Sequence, residues 1–166
     1  MAKNEGKLFE NDVKASFPKD FYVERYKDDT AGFKGVANPA DFRVFKSPYL
    51  FLVELKSHKG VSIPLDKIRS AQLQGMAKAV VNDGIFGGFL FNYRELEETY
   101  YVPVLEVANT YYIVNDEGKF EVNPDGRKSI PVEWCREVGK KISQKKKKVR
   151  YTYDLKEWLG GYYGSE

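Results

Sequence analysis

A chain of 166 residues, 42% hydrophobic and 15% aromatic, is long enough to bury a real core and short enough that one domain is the default. The formal net charge is only +3, from 27 Lys and Arg against 24 Asp and Glu, so total charge does not by itself point to nucleic acid. The lone Cys135 excludes an internal disulfide and a cysteine-based zinc site, and the absence of a long apolar run or signal peptide predicts a soluble, cytoplasmic protein without membrane association.

The first predicted element is a helix from Asn4 to Phe17. Leu8, Phe9, Val13 and Phe17 recur at near-helical spacing, and Pro18 stops the run. Glu10 borders the apolar face, where a carboxylate either leans toward a sheet or stays in solvent. A strand is expected over Phe21–Tyr26. The stretch from Lys27 to Pro39 is polar, holds Gly32 and Gly35, and reads as a loop. Its basic residues Lys27 and Lys34 stand close in sequence to Asp41.

The segment from Asp41 to Lys56 organises the chain. Two runs, Asp41–Phe45 and Tyr49–Leu55, flank a Lys-Ser-Pro turn and predict a β-hairpin. Alternation along the second strand puts Glu54 and Lys56 on one face and Leu55 on the other. Antiparallel pairing brings Asp41 beside Glu54. Two carboxylates held together raise each other's pKa unless a cation lies between them. A hard divalent ion suits such a pair, keeps waters of its own and leaves room for a phosphate. Lys56 would orient water or stabilise charge on phosphorus. Taken alone, a Glu-x-Lys also fits an ordinary surface ion pair.

Past the hairpin, His58 is the only histidine and is read as a polar or phosphate-contacting residue, ahead of a metal-ligand or general-base role. A helix is predicted over about Asp66–Val81, with a packing stripe of Ile68, Ala71 and Gln72, Gly75 and Met76, Ala79 and Val80. Gln72 and Gln74 are departures from that stripe. Gln72 either serves the carboxylate site or acts as a plain surface or capping amide. Strand Ile85–Asn92 after this helix predicts a βαβ crossover. Then come strand Thr99–Val104, a short helix over Leu105–Asn109, a hairpin from Tyr111–Val114 to Phe120–Val122, and a short helix from Pro131 or Val132 to about Val138. Lys145, Lys146, Lys147, Lys148 and Arg150 form a basic run on a loop or strand edge, read as a DNA contact over the plainer alternative of a solvated basic patch. Tyr151–Leu155 reads as a strand leading into a short helix. Residues 1–159 are expected to form the domain and Gly160–Glu166 a frayed tail.

Taken in order, these residues resemble the PD-(D/E)-x-K nucleases, and more finely the RecU-type Holliday junction resolvases. The resemblance rests on Asn4, Gly6 and Glu10, on the interval from Asp41 to Glu54 and Lys56, on Ser62-Ile63-Pro64-Leu65, on Gln72 and Met76, and on Gly126-Arg127-Lys128-Ser129-Ile130. It spans about Asn4 to Leu155. It implies an α/β, restriction-endonuclease-like core with a central mixed sheet flanked by helices. It also implies a homodimer acting on branched DNA, Mg²⁺ or Mn²⁺ at each site, and a recombinase partner in a bacterial or phage-infected cytoplasm. Carried over by position, Asp41, Glu54 and the Leu55 carbonyl hold the metal. Lys56 orients or stabilises, Glu10 assists, and Gln72 supports. Arg127 and Lys128 contact the DNA backbone; Lys34, close to the site in sequence, is read as a further DNA contact. Two departures are visible. Proline stands two residues before the Asp, and the 27–40 segment is shorter than in members where it builds a stalk. A short phage-type resolvase, a relaxed nuclease or nickase, and a non-catalytic DNA-binding accessory module are the readings carried forward, with a base-reading restriction-type enzyme ranked below them.

Overall fold

The computed structural model describes residues 4–26 and 38–164. Lys34, with the expected loop around it, lies outside the described residues.

Helix α1 (Glu5–Ser16) opens at Asn4, whose Oδ1 accepts from Lys7 N at 3.0 Å, relieving one orphan donor of the first turn. Its apolar face buries Phe9 and Val13, with Phe17 just beyond its end. Strand β1 (Tyr22–Arg25) follows, then β2 (Phe42–Lys46) and β3 (Tyr49–His58). These last two pair antiparallel with Phe42 opposite Val53, the predicted hairpin. After β4 (Ser62–Pro64), the predicted continuous helix is divided into a single 3₁₀ turn, Leu65–Lys67, and helix α2 (Ser70–Ala79). Ile68 between them is extended and buried. Starting at Ser70 rotates the stripe by about one position. Leu73, Met76 and Ala77 are buried with Val80 beside them, whereas Ala71 faces solvent. The observed set holds the i, i+3, i+4, i+7 spacing with larger apolar groups.

Strand β5 (Ile85–Tyr93) runs parallel to β3, from Leu50 opposite Ile85 to His58 opposite Tyr93, which completes the expected crossover. Strand β6 (Glu98–Pro103) returns antiparallel. Helix α3 (Val104–Tyr111), the β7 (Tyr112–Val114) and β8 (Phe120–Val122) hairpin, β9 (Ser129–Pro131), helix α4 (Val132–Val138) and β10 (Lys140–Ile142) follow. The chain closes with the hairpin of β11 (Gln144–Lys147) and β12 (Arg150–Tyr153), then helix α5 (Leu155–Gly160). The central sheet has the order β1-β2-β3-β5-β6-β10 and is mixed. Alternation divides the core. Leu52, Phe89 and Phe91 face α2, α3 and α4, while Phe51, Val53 and Leu90 face α1 and α5. Gly88 lets the Val102 carbonyl and the Tyr101 ring of β6 lie close against β5, since a Cβ there would be 2.5 Å from that carbonyl.

The basic run lies on β11, the turn after it and the start of β12, in keeping with the expected strand edge. One expectation changes. The segment after Gly160 is packed as far as Tyr163: Tyr162 lies against Phe51 and Phe86 at ring separations of 4.9 and 4.5 Å, and Tyr163 Oη donates to the Lys46 carbonyl at 2.6 Å. Aromatic burial outweighs the flexibility of Gly160 and Gly161. Cys135 is buried beside Tyr93 Oη at 3.2 Å, and burial pushes its thiol up to about 11. No helix among the described residues is long and apolar enough to cross a membrane.

Candidate active site

Strand β2 begins one residue after Asp41, so the hairpin register carries Asp41 across from Glu54. Asp41 N donates to the Val53 carbonyl at 3.1 Å, and its Oδ2 accepts from Leu55 N at 2.8 Å. Successive residues of a strand turn their backbone groups to alternate edges. The Leu55 carbonyl therefore shares the Asp41 edge, past the point where β2 pairs. Glu54 is 2% exposed. Its Oε1 accepts from Lys56 Nζ at 3.1 Å and its Oε2 from Gln72 Nε2 at 3.0 Å. The expected Glu54–Lys56 face is thus real, and the α2 amide reaches it. Gln74 does otherwise: its Oε1 accepts from Phe120 N at 3.1 Å and ties α2 to β8.

Glu10 enters from α1 and pairs with Arg25 Nε at the end of β1. Its carboxyl is pushed up by burial and by Asp41, against the pull of Arg25 and Lys7. Glu54 is pushed up to about 8, first by burial, then by Asp41, with Lys56 opposing. The three carboxylates line one cavity of about 370 Å³ that also takes in Lys7, Arg25 and Arg69. Sequence reading missed those three cations. Lys7 and Arg69 stand three residues before Glu10 and Gln72, so helical spacing carries a signal for each. Arg25 becomes visible only once β1 pairs with β2, opposite Phe42.

Among the described residues, no three or more His, Cys, Asp and Glu side chains gather into a cage of their own. The donor set is two carboxylates and a backbone carbonyl, which fits Mg²⁺ or Mn²⁺, since hard ions complete their shell with water and phosphate oxygens. Gln72 Oε1 is buried without a hydrogen-bond partner, a state that a water at the site would relieve.

The other expected contacts lie apart from this cavity. Strands β4 and β9 pair Ile63 with Ile130, and Ser62 Oγ meets Ser129 Oγ at 2.6 Å. The Ser-Ile-Pro-Leu and Gly-Arg-Lys-Ser-Ile segments therefore form one small sheet leading into α2. Arg127 is exposed there, while Lys128 Nζ donates to the Asn123 and Pro124 carbonyls at 2.8 and 3.2 Å, fastening the preceding turn. Lys145, Lys146, Lys147 and Lys148 are exposed on the last hairpin, and Arg150 pairs with Asp12 at 3.3 Å. His58 Nδ1 meets Lys67 Nζ at 3.0 Å. Burial, Lys67 and Arg94 hold its imidazole below the ordinary range, and it does not line the carboxylate cavity.

No protein-family model matches the chain. It is 28% identical over 130 residues to the Holliday junction resolvase RecU of Lactococcus lactis subsp. cremoris (strain SK11), covering 78% of this chain and 54% of that protein. The chain thus spans about half the length of that relative. The 1.6 Å structure of Archaeoglobus fulgidus Hjc, a Holliday junction resolvase from an archaeal hyperthermophile, matches with a TM-score of 0.50 at 12% identity, over 81% of this chain and 93% of that one. At that identity the likeness is one of fold, and it makes the mixed α/β architecture restriction-endonuclease-like. The chain is also 34% identical over 169 residues, covering 96% of this chain and 87% of its relative, to the SPbeta prophage-derived uncharacterized protein YotM of Bacillus subtilis (strain 168). On that extent of identity, the chain belongs to the family of the SPbeta prophage-derived protein YotM.

Proposed function

We propose that this protein is a metal-dependent, structure-selective endodeoxyribonuclease that resolves four-way DNA junctions by phosphodiester hydrolysis. The observation that carries the reading is the convergence of Asp41, Glu54 and Lys56 at the open edge of β3, inside a ring of cations. Two relatives named as Holliday junction resolvases, one by sequence and one by fold, support the choice of substrate. Symmetric nicks in opposing strands need two sites, so the working unit in this reading is a homodimer.

Asp41, Glu54 and the Leu55 carbonyl would hold Mg²⁺ or Mn²⁺, which supplies charge neutralisation on the phosphate and a lowered pKa for the attacking water. Everything else falls to the chain. The Leu55 N–H fixes one carboxylate and the Gln72 amide the other, so the donor set is oriented before DNA arrives. Lys56 Nζ, now on Glu54, is placed to donate to a phosphoryl oxygen or to orient the attacking water as charge builds on phosphorus. Glu10 can accept a proton from water, and its raised carboxyl suits that task. Lys7, Arg25 and Arg69 offer donors to the flanking phosphates.

The test is a cleavage assay on a synthetic four-way junction and a matched linear duplex, with Mg²⁺ or EDTA, for wild type and Asp41→Ala. Paired nicks in the junction alone, lost in EDTA and in the variant, are expected. Equal cutting of both substrates would make it a relaxed nuclease or nickase. Junction binding without cutting would make it an accessory module.

A further inference from the structure

A second cavity, of about 270 Å³, lies on the other side of the α1 N-terminal turn, beneath the β11–β12 hairpin. Arg94, Lys146 and Lys148 line it, as does Ser57, the residue after Lys56. We propose that this cavity is a phosphate subsite for the DNA strand that runs through the carboxylate site, with Arg94 its anchor. The proposal rests on the nuclease reading and adds where the flanking backbone is held.

A hydrogen-bonded chain of polar side chains crosses the sheet beneath it. Arg94 Nη1 donates to Ser57 Oγ at 3.2 Å, and Ser57 Oγ to Asn92 Oδ1 at 2.7 Å. Asn92 Nδ2 donates to Thr99 Oγ1 at 3.0 Å, and Thr99 Oγ1 to Gln144 Oε1 at 2.7 Å. Asn92 is 5% exposed and Thr99 fully buried. Apolar residues would fill those positions without needing partners. The polar chain instead fixes two groups at the cavity wall, Arg94 and Gln144. Arg94 has five N–H donors in a fork that matches phosphate, and it gives one to Ser57.

The hairpin adds charge from above. Lys146 pairs with Tyr151 across the ladder, on the inner face with Gln144 and Tyr153, while Lys145 and Lys147 point outward. Lys148 has φ +54 in the two-residue turn, a conformation that glycine takes at less cost. Of the cavity's carboxylates, Asp12 is engaged by Tyr151 N and Arg150, and Glu5 stands at the first turn of α1. A groove over α1 is lined by Lys7, which also lines the catalytic cavity, and by Val149, which also lines this one, so it lies between the two. A helix with its side chains is about 10 Å across, which matches about three nucleotides of a duplex arm lying along the groove, at an axial rise of about 3.4 Å each.

The experiment uses short-armed four-way junctions carrying one methylphosphonate, which removes the charge of a single phosphate, at successive positions from the scissile site. Binding is measured in EDTA and single-turnover cleavage in Mg²⁺, for wild type, Arg94→Gln and Arg94→Lys. One position, two to four nucleotides from the cut, should weaken wild-type binding about tenfold and leave Arg94→Gln unaffected, with Arg94→Lys between. Circular dichroism reports that the variants fold. Equal sensitivity of wild type and Arg94→Gln at every position would reduce the cavity to a solvated basic patch and leave the nuclease reading standing. Failure of wild type both to bind and to cut the junction would remove both.

Discussion

The N–H of Leu55 donates to Asp41 Oδ2 at 2.8 Å, so the first carboxylate is fastened to the strand that carries the second. Separating the charge of Asp41 from its shape tests what that contact does. Asp41→Asn keeps an oxygen for the Leu55 N–H and removes the negative charge beside Glu54. Its melting temperature in EDTA should equal or exceed that of wild type, because a repelling charge is lost. Mg²⁺-dependent cleavage should fall by about two to three orders of magnitude. An unfolded Asp41→Asn protein would mean that the carboxylate is a structural member of the hairpin.

Glu54 makes the metal-free protein sensitive to pH. Its folded-state carboxyl lies at about 8, against an ordinary 4.5. Between those values the folded chain holds a proton that the unfolded chain has released, so stability falls as pH rises. The contribution is complete below about pH 4.5 and lost as pH passes 8. Urea unfolding in EDTA at pH 5 and pH 8.5 should show wild type losing a few kcal/mol relative to Glu54→Gln, whose amide does not titrate. Equal pH dependence in the two proteins would contradict the buried-carboxyl account.

The hairpin residues show what the sequence makes legible. A strand has a period of two, and a hairpin fixes its partner, so Asp41, Glu54 and Lys56 could be brought together from spacing alone. Glu10 and Gln72 could be placed on their helices but not aimed, because helical position leaves a side chain free to face solvent or sheet. Arg25 was invisible for a different reason: its approach to Glu10 depends on β1 docking at the sheet edge, a contact with no local signature. The stripe of α2 slipped because Ile68 is extended, and an apolar residue before a helix looks like its first turn. Arg94 and Ser57 lie 37 residues apart and meet only through the parallel pairing of β3 with β5.

Asp12 couples the basic hairpin to the helix that carries Glu10. It is 8% exposed, its Oδ2 accepts from Tyr151 N at 3.1 Å, and Ser16 Oγ accepts from Tyr153 N at 3.0 Å one turn on. Asp12→Ala leaves a strand N–H without its acceptor and should cost about 1–3 kcal/mol in urea unfolding. Amide exchange at Tyr151 should accelerate while amides in β3 and β5 keep their protection. Uniform acceleration would show global destabilisation instead of a loosened hairpin.

The packed tail gives the last prediction. Tyr162 covers Phe51 and Phe86, and Tyr163 sits against Tyr49 at a ring separation of 5.2 Å and against Phe21 at 5.7 Å. Lys46 lies over the Tyr163 ring, 4.9 Å from its centre. Phe51 is 1% exposed, so removing its cover would wet one end of the α1–α5 core. Both tyrosines are partly exposed, which keeps the loss below that of a fully buried aromatic. Tyr162→Ala with Tyr163→Ala should lower stability by roughly 2 kcal/mol, read as an earlier urea midpoint at an unchanged slope. The carboxylate cavity draws no residue from this cluster, so cleavage per folded molecule should be retained below the new midpoint. A midpoint equal to that of wild type would return residues 160–164 to the status of a loose end.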